Sequence, residues 1–538
     1  MFVPEAASAA NPRLDPARVY LQARAASISG NYAQSAEMLS RLVEANAASP
    51  TIARQAVLEA ISAGDMKLAL RIAQSLPAQS TPIEARMLQV AEQLRTRNPE
   101  RALPLLQGGS DSGELLFLRP FVEAWIYSDR KDLGRALTAL NNMPSSSLLA
   151  GLAPEHRALI LLRFGRAAEA APIAKQALEK AGGREQRLRM AFADGFLKAG
   201  DRAQALAMVE GLGGDAGRAR QRILQGKPTG MAVDNVRLAY SEVVLALALE
   251  LNRLRNRNMP VSLAQISRFA APENSAATAV LGLLLQSRDR TPEALAIFRS
   301  VSDNDPFGAQ ARDAEVRALI EAKRAPEAYG VAQRAVNSPS ASVGDYSRLG
   351  DVLSELKRYD EAAAAYGRAL AMSQSAAPAE RWPLLLLQAS ALEEANRWPE
   401  SRQALNAALA LAPNEPLILN FLGYAKLERG EDLDSAEAMI RKASNLDPDN
   451  ASITDSLGWA LFKRGRTTEA VEILTKAAKG DPGQAEIHEH LGDALYKAGN
   501  RFEARYAWQA ALVTADDEVA GRIKAKIDTG LTAATAAP

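Results

Sequence analysis

The sequence contains no cysteine and only three histidines in 538 residues. Without cysteine there can be no disulfide, no thiolate nucleophile and no cysteine-bound metal, and both oxidising and reducing compartments stay open. The histidines are His156, His488 and His490, and the last two lie two positions apart. A metal-binding pair on a helix needs a spacing of three or four. We therefore expect no catalytic residues, no metal site and no cofactor.

Aromatic residues, net charge and long apolar runs are also scarce. Aromatic residues make up 5% of the chain although apolar residues make up 47%, a balance that favours close-packed helices over β-sandwiches. The net charge of +1 gives no overall field that would attract nucleic acid. No apolar run reaches the roughly 18–20 residues of a membrane-spanning helix. The composition predicts an all-α protein.

The N-terminal stretch, residues 1–15, is rich in Ala and Pro and lacks the basic and apolar segments of a signal peptide. We predict that it is disordered. This N-terminal sequence is compatible with two cellular locations. A removed signal would make the protein periplasmic or outer-membrane-associated, with membrane contact only through an anchor preceding residue 1; otherwise it is cytoplasmic.

A small residue recurs at a fixed interval along most of the chain. In the C-terminal half the interval is mostly 34 residues, as at Ala294, Ala328 and Ala362, and again at Ala436, Ala470 and Ala504. A period of 34 residues is the spacing of the tetratricopeptide repeat, a hairpin of two helices. Each hairpin cannot bury its apolar face alone, so neighbouring hairpins must stack. The period therefore predicts a solenoid.

Residues 451–484 show why particular residue types recur within a repeat. Gly458 lets the second helix approach closely, and Gly465 provides the backbone conformation that ends the first helix. Ala470 is small where the helices cross, Leu474 is buried against the next repeat, and Pro482 stops the second helix. Each copy of the motif thus supplies the core for the next copy.

The repeats predict a right-handed α-solenoid of about fourteen hairpins, in two segments. The regular repeats lie after residue 274, and the earlier repeats have lost the Leu-Gly pair. A Gly-rich, basic stretch interrupts the period near residues 210–235 and predicts a joint between the segments. The predicted organisation is a degenerate N-terminal solenoid (16–209), an irregular joint with a long hairpin (210–274), a C-terminal solenoid (275–518), and a terminal helix with a disordered tail (519–538).

The first helices of stacked hairpins line a concave groove, and the last three repeats place aromatic and charged residues at groove positions. Aromatic residues would supply contact area, and lysines would bind carboxylates or a chain terminus. The alternative is that Trp459 and Phe462 pack between repeats. The predicted peptide- or protein-binding residues are Tyr424, Asp455, Trp459, Phe462, Lys463, Asp493, Tyr496 and Lys497.

Charge is unevenly distributed along the chain. Residues 184–268 contain 14 Lys and Arg against 8 Asp and Glu, whereas residues 412–518 contain 12 against 19. The basic segment raises the alternative of nucleic-acid binding through Arg218, Arg220 and Arg222. It lacks interleaved aromatic residues for stacking on bases, so we predict protein or peptide partners and no nucleic acid.

Three motifs near the C-terminus resemble a particular subfamily of tetratricopeptide-repeat proteins. They are "NFLGY" (420–424) with the insertion "GEDLDSA", "DSLGW" (455–459), and "HLGDALYKAGNRFEARYAWQAAL" (490–512). This pattern is similar to that of bacterial envelope proteins, among them outer-membrane lipoproteins that act as adaptors for a periplasmic carboxyl-terminal processing protease. The resemblance implies a non-catalytic scaffold or adaptor in a Gram-negative envelope. A cytosolic regulatory or assembly scaffold is the alternative.

Overall fold

The computed structural model describes residues 15–45, 48–77, 80–107, 115–144, 147–212, 216–256, 259–338, 341–535 and 537, without the side chains of 216–218 and 518. Within these residues there are thirty α-helices and no strand, and successive helices pack as hairpins. The prediction of an all-α solenoid is confirmed. The chain divides into two compact units, unit 1 (Met1–Val331) and unit 2 (Ala332–Pro538). Of the predicted disordered start, residues 1–14 lie outside the described residues.

Unit 1 contains nineteen of the described helices, of which the last crosses the division between the units. They are α1 (Pro16–Ile28), α2 (Tyr32–Glu44), α3 (Pro50–Ala63), α4 (Met66–Ser75), α5 (Ile83–Arg95), α6 (Pro99–Leu105), α7 (Arg119–Asp129), α8 (Leu133–Asn141), α9 (Ala153–Arg163), α10 (Ala167–Leu178), α11 (Glu185–Lys198), α12 (Arg202–Val209), α13 (Ala216–Leu224), α14 (Val236–Arg253), α15 (Met259–Ala270), α16 (Ser275–Gln286), α17 (Thr291–Arg299), α18 (Gly308–Glu321) and α19 (Ala325–Val336).

Unit 2 contains five hairpins and a final single helix. They are α20 (Val343–Glu355), α21 (Tyr359–Met372), α22 (Pro378–Glu394), α23 (Trp398–Leu411), α24 (Pro416–Glu428), α25 (Leu433–Leu446), α26 (Ala451–Lys463), α27 (Thr467–Gly480), α28 (Ala485–Lys497), α29 (Arg501–Thr514) and α30 (Asp517–Thr529).

Capping residues set where the second helix of several hairpins begins. Asp65, Asp132 and Asp201 each precede a second helix and accept a hydrogen bond from the backbone N–H three residues later, at 2.9–3.0 Å. A carboxylate in this place satisfies a donor that has no partner inside the helix and interacts favourably with the helix dipole. The turn between the helices is therefore encoded locally.

Glycines in the first helices of unit 2 permit the close crossing that the repeat motif predicts. A Cβ on Gly458 would lie 2.6 Å from Cγ and 2.7 Å from Cδ2 of Leu474, and Leu474 is fully buried. Gly492 faces the indole ring of the buried Trp508 in the same way. The predicted role of Gly458 in helix packing is confirmed.

The α14–α15 hairpin lies at the centre of unit 1. α15 contacts α3 and α5, while α14 contacts α5 and α7. Their side chains belong to one apolar core that extends from Ala23 to Phe307. Tyr240 of α14 donates a buried hydrogen bond of 2.8 Å to the backbone oxygen of Met87 in α5. A hairpin from later in the chain therefore packs against the first helices of three earlier hairpins.

The joint predicted at residues 210–235 stays a prediction, and the structure shows what holds its described residues. The Asp194 carboxylate accepts hydrogen bonds from the backbone N–H groups of Thr229, Gly230 and Met231, and the Arg187 guanidinium donates to the Met231 oxygen at 2.6 Å. The segment after α13 is held against α11 because its polar backbone is satisfied by buried charged groups. Residues 213–215 of the Gly-rich stretch lie outside the described residues.

The division between the two compact units falls after Val331, and the domain boundary predicted at residue 274 stays a prediction. Helices α16 to α18 belong to unit 1. Arg290 donates to the backbone oxygen of Ser62 at 3.0 Å, and its guanidinium lies 4.5 Å from the ring centroid of Tyr32. These contacts join residues more than two hundred positions apart, so the regular repeat pattern could not reveal them.

The disordered tail predicted after α30 stays a prediction, and two of its described residues contact α28. Gly530 is buried, and a Cβ there would overlap the Tyr496 side chain. The backbone N–H of Ala537 donates to Oδ2 of Asp493 at 3.1 Å, and Ala537 is buried. Gly530 and Ala537 are therefore held against α28 by a contact with the Tyr496 ring and by a buried carboxylate.

Candidate functional site: the inner face of unit 2

The first helices of the last three hairpins form one continuous side of unit 2, since α24 contacts α26 and α26 contacts α28. We call this side the inner face. All eight binding residues predicted from the sequence lie on these three helices. The structure adds charged neighbours that are not among the predicted binding residues, namely Glu428, Glu486, Glu489, His490, Arg522 and Lys526.

Trp459 is at the centre of an aromatic stack. Its ring lies 4.8 Å from Phe462 and 4.0 Å from His490 between centroids, and both pairs are close to parallel. The indole N–H donates to Oε1 of Glu428 at 3.1 Å, which joins α26 to α24. Trp459 is only 1% exposed. It packs between repeats, as the alternative interpretation proposed.

Lys463 is paired within the inner face. Its Nζ donates to Oε2 of Glu428 at 3.1 Å and lies 5.3 Å from the Trp459 ring centroid. Glu428 therefore binds the two α26 side chains with its two oxygens. Lys463 is predicted to bind a ligand carboxylate, but in this structure a carboxylate of the chain itself neutralises it.

Asp455 and His490 form a buried pair between α26 and α28. Oδ2 of Asp455 and Nδ1 of His490 are 2.9 Å apart, and His490 is 1% exposed. Burial lowers the pKa of His490, but the Asp455 carboxylate outweighs this effect and the pKa is raised above its ordinary value. Oδ1 of Asp455 and Nε2 of His490 have no hydrogen-bond partner among the described residues. The hydrogen-bonding capacity of the pair is thus incompletely satisfied.

Glu489 and Asp493 of α28 bind the final helix α30. Glu489 accepts two hydrogen bonds from Arg522, both at 2.8 Å, and one from Lys526 at 2.6 Å. Asp493 accepts from Lys526 at 2.7 and 2.8 Å and from the Trp508 indole at 2.9 Å. Burial raises the pKa of Glu489, but the Arg522 and Lys526 hydrogen bonds outweigh it and the pKa is lowered overall. Asp493 and Lys526 are fully buried.

The two tyrosines on the inner face are half-buried. Burial and the carboxylates of Glu428, Glu486 and Asp455 raise the pKa of Tyr424. The Tyr496 ring lies 5.5 Å from that of Trp508, and the Arg501 guanidinium lies 5.4 Å from the Tyr496 centroid.

The structure therefore brings the predicted residues together but does not leave all of them accessible. Asp455, Trp459 and Asp493 are buried, so they hold neighbouring helices together in this arrangement. Lys497 is exposed, and so is Glu486 on the same helix. Their contact with a bound protein stays a prediction.

The charged pairs that the sequence-based prediction missed do have a signal in the sequence. His490 follows Asp455 by 35 residues and Lys526 follows Asp493 by 33, so partners lie about one repeat apart. Opposite charges about one repeat apart are therefore a signal in the sequence for these pairs. The spacing does not specify that the pairs are buried.

Many arginines of the basic segment 184–268 have structural roles. Arg189 donates to the backbone oxygens of Met208 and Glu210, Arg202 to those of Ile223 and Leu224, and Arg222 to that of Pro228. These guanidiniums satisfy carbonyls at helix ends, where no intrahelical donor exists. These three guanidiniums are therefore engaged within the chain, and the absence of a nucleic-acid partner stays a prediction. The Arg218 side chain lies outside the described residues.

In the part of the chain that the structure describes, no group of three or more acidic or His side chains is arranged to hold a metal ion. Among the same residues, no helix combines the length and the apolar character needed to span a bilayer.

Comparison with known families identifies the repeats of unit 2. The family model described as "Tetratricopeptide repeat" matches residues 347–416, 386–451, 422–485 and 456–520. These overlapping matches span residues 347–520, about a third of the chain. Comparison with curated proteins found no match.

Solved structures with similar folds include several tetratricopeptide-type proteins. The APC/C hetero-tetramer Cut9–Hcn1 is 14% identical, covers 96% of this chain and 97% of its own, and has a TM-score of 0.40. Yeast Tom70 is 12% identical, covers 96% and 95%, and has a TM-score of 0.33.

A third structure is YrrB, "a TPR protein with an unusual peptide-binding site", which is 18% identical, covers 36% of this chain and 97% of its own, and has a TM-score of 0.27. Scores of this size carry no function from one protein to another. The family match places tetratricopeptide repeats at residues 347–520 of this chain.

Proposed function

We propose that this protein is a non-catalytic scaffold or adaptor that binds partner proteins or peptides on the inner face of unit 2. The main support is the run of tetratricopeptide repeats at 347–520, because stacked repeats create an extended concave surface for binding. The exposed Glu486 and Lys497 and the half-buried Tyr424 and Tyr496 provide charge and aromatic area there. Unit 1 differs, since its own α14–α15 hairpin fills its centre.

The scaffold acts in the envelope of a Gram-negative bacterium, where it presents partners to a periplasmic processing protease. This part of the proposal rests on the resemblance of "NFLGY", "DSLGW" and "HLGDALYKAG" in residues 420–499 to envelope repeat proteins. Fractionation of the native host into envelope and cytosol, followed by detection of the protein in each fraction, tests the location. Recovery of the chain only with cytosolic complexes would contradict it.

Affinity capture with a charge-exchanged variant tests the binding face. Glu486→Arg with Lys497→Glu exchanges two exposed charges on α28. Glu472→Arg with Lys479→Glu makes the same exchange on the outer helix α27, at positions that are also exposed. Partners bound on the inner face should be lost from the first variant and kept by the second, as measured by quantitative mass spectrometry.

The identity of the captured proteins separates the two parts of the proposal. A processing protease or cell-wall hydrolase that depends on the α28 charges would support both parts. Equal capture of partner proteins by both variants would contradict binding on the inner face.

A further inference from the structure

Helix α30 and the residues after it cover part of the inner face. Arg522 and Lys526 bind Glu489 and Asp493 of α28, and the chain then crosses Tyr496 at Gly530. Ala537 adds a further hydrogen bond to Asp493. Two of the residues predicted to bind a peptide, Asp493 and Tyr496, are therefore already in contact with a segment of this chain.

The contact between α30 and the last hairpin has an apolar part and a charged part. Ile523 is fully buried in a cluster with Ala504, Trp508 and Ala511 of α29. The Lys526 ammonium is fully buried, with three carboxylate oxygens within 2.6–2.8 Å. Burying such ions carries a desolvation penalty that an apolar side chain would avoid. A helix that served only to cover the apolar end of the stack would not need this lysine.

The sequence separation between paired residues shows which position in the stack of repeats α30 occupies. Lys526 follows Asp493 by 33 residues, much as His490 follows Asp455 by 35. α30 therefore lies where the first helix of another repeat would lie, but the described chain has no second helix after it. Among the described residues, α30 packs on α29 and pairs with α28, and elements with few neighbours open at a lower free-energy cost than the interior of a stack.

We propose that α30 is an internal ligand of the inner face, and that a basic amphipathic helix of a partner protein binds α28 in its place. The partner helix would carry Arg or Lys at positions i and i+4, as Arg522 and Lys526 do, with a branched aliphatic residue at i+1 in the place of Ile523. This deepens the proposed function and rests on it. The favoured ligand is thus cationic, whereas the groove lysines predicted from the sequence would favour a ligand carboxylate.

Competition with α30 sets the conditions for such binding. A tethered segment acts at an effective concentration of about millimolar, so an untethered helix gains access in proportion to the open fraction of α30. Salt weakens the contact of Arg522 with Glu489 more than the fully buried lysine contacts, because the Arg522 side chain is 29% exposed.

The first test is hydrogen exchange on the full-length wild-type chain. Amides of α30 should exchange by local opening at least ten-fold faster than those of α28 and α29, and faster again at high salt. If the amides of α30 exchange at the same rate as those of α28 and α29, the proposal is overturned, because the helix would then be a fixed part of the last repeat.

The second test supplies the helix in trans. The probe is a fluorescent synthetic peptide with the sequence of residues 516–537, added to the full-length wild type and to the full-length variant Arg522→Ala with Ile523→Ala. The variant loosens α30 and leaves every α28 residue unchanged. We expect probe affinity on the order of ten-fold higher for the variant, and loss of that affinity when the probe carries Lys526→Glu. Equal affinity for wild type and variant, or an equally bound Lys526→Glu probe, would overturn the proposal.

The results separate this inference from the proposed function. Probe binding together with partner capture that ignores Glu486 and Lys497 would uphold the internal ligand and place the scaffold's natural partners elsewhere. Partner capture that depends on those charges, without probe binding, would uphold the scaffold and reject the internal ligand.

Discussion

At the level of single residues, the fold depends on positions where a side chain is absent or where the backbone is left-handed. Gly492 is one of the first kind, because the buried Trp508 indole fills the space that a Cβ would need. Lys357 is one of the second kind: it has φ +57°, at the turn position where Gly465 has φ +77°. An L-residue in this conformation costs about 1–2 kcal/mol, which glycine avoids.

Gly492→Ala should destabilise unit 2. Alanine favours a helix by about 1 kcal/mol over glycine, but the overlap with the rigid Trp508 ring should reverse the sign and leave a net loss of about 1–2 kcal/mol. Gly521→Ala is the control, since nothing lies within 4 Å of its added Cβ. Urea denaturation followed by circular dichroism should show a loss for the first and a small gain for the second. A gain for both would contradict the predicted clash.

Lys357→Gly should stabilise the protein by about 0.5–1 kcal/mol, because glycine adopts the left-handed conformation without the Cβ clash. The side chain is exposed, so little contact is lost. Lys524→Gly, an exposed position inside α30, should instead lose about 1 kcal/mol. Thermal unfolding of both variants measures the difference, and a lower melting temperature for Lys357→Gly would show that the turn strain is absent.

His490 should make the stability of unit 2 depend on pH. Its pKa is raised in the folded state because the facing Asp455 of α26, together with Glu486 and Asp493 of its own helix, outweighs burial. The folded state therefore holds the proton more tightly than the unfolded chain. The stabilisation is complete below the unfolded pKa of about 6.5 and is lost as pH rises through the folded pKa.

We expect the urea midpoint of the wild type to fall as the pH is raised above about 6.5, the unfolded pKa of histidine. His490→Gln should remove most of this dependence. His488→Gln is the control, because His488 is half-buried and its Nε2 lies 3.1 Å from the backbone oxygen of Pro482, away from the Asp455 pair. An unchanged profile for His490→Gln would show that the pair with Asp455 is not the source.

At the level of helices and loops, buried charges hold the irregular segments. Asp194 of α11 accepts three backbone hydrogen bonds from residues 229–231, and Arg187 of the same helix binds Met231 and Glu242. The sequence of this Gly-rich, basic region predicts a joint because neither the repeat period nor a capping motif continues through it. The contacts that order it come from a helix more than thirty residues away.

Asp194→Ala should destabilise unit 1 by about 2–4 kcal/mol, because three backbone N–H groups, two of them in buried residues, lose a charged acceptor. Asp234→Ala is the control. The Asp234 side chain is 46% exposed, and its ion pair with Lys198 is long, at 3.9 Å. Limited proteolysis should show cleavage within residues 225–235 for the first variant alone. Equal resistance in both variants would indicate that the segment is held by its apolar residues and not by Asp194.

At the level of the complete chain, a destabilising substitution should affect more distant helices in unit 1 than in unit 2. In unit 2 each hairpin packs mainly on its neighbours, as expected for stacked repeats. In unit 1, α14 and α15 contact α3, α5 and α7, so distant hairpins share one core. A defect in the shared hairpin should therefore reach helices far away in sequence.

Val244→Ala in α14 and Leu474→Ala in α27 test this difference, since both side chains are fully buried. Each should cost about 1–4 kcal/mol. Hydrogen exchange should rise across α3 to α9 for the first variant, and only in α24 to α29 for the second. A response confined to α14 and its sequence neighbours would contradict a shared core in unit 1.

The helical hairpins and their stacking are specified by local patterns in the amino-acid sequence. The small residue every 34 positions, the glycines at helix crossings and the aspartates at helix starts act over a few residues or one repeat, so their physical meaning is local. The same pattern placed Tyr424, Trp459 and Tyr496 on the first helices of unit 2. It left open whether Trp459 packs between repeats, since the position in the period does not specify exposure.

Which surfaces remain available depends on the tertiary contacts. The α14–α15 hairpin fills the centre of unit 1, and α30 covers Glu489 and Asp493 of unit 2. The first outcome depends on contacts between helices that are far apart in the sequence, and the second on the balance between desolvating a charge and pairing it. That balance is a property of the assembled neighbours, so the period specifies the helices while the packed chain decides which of their faces can bind.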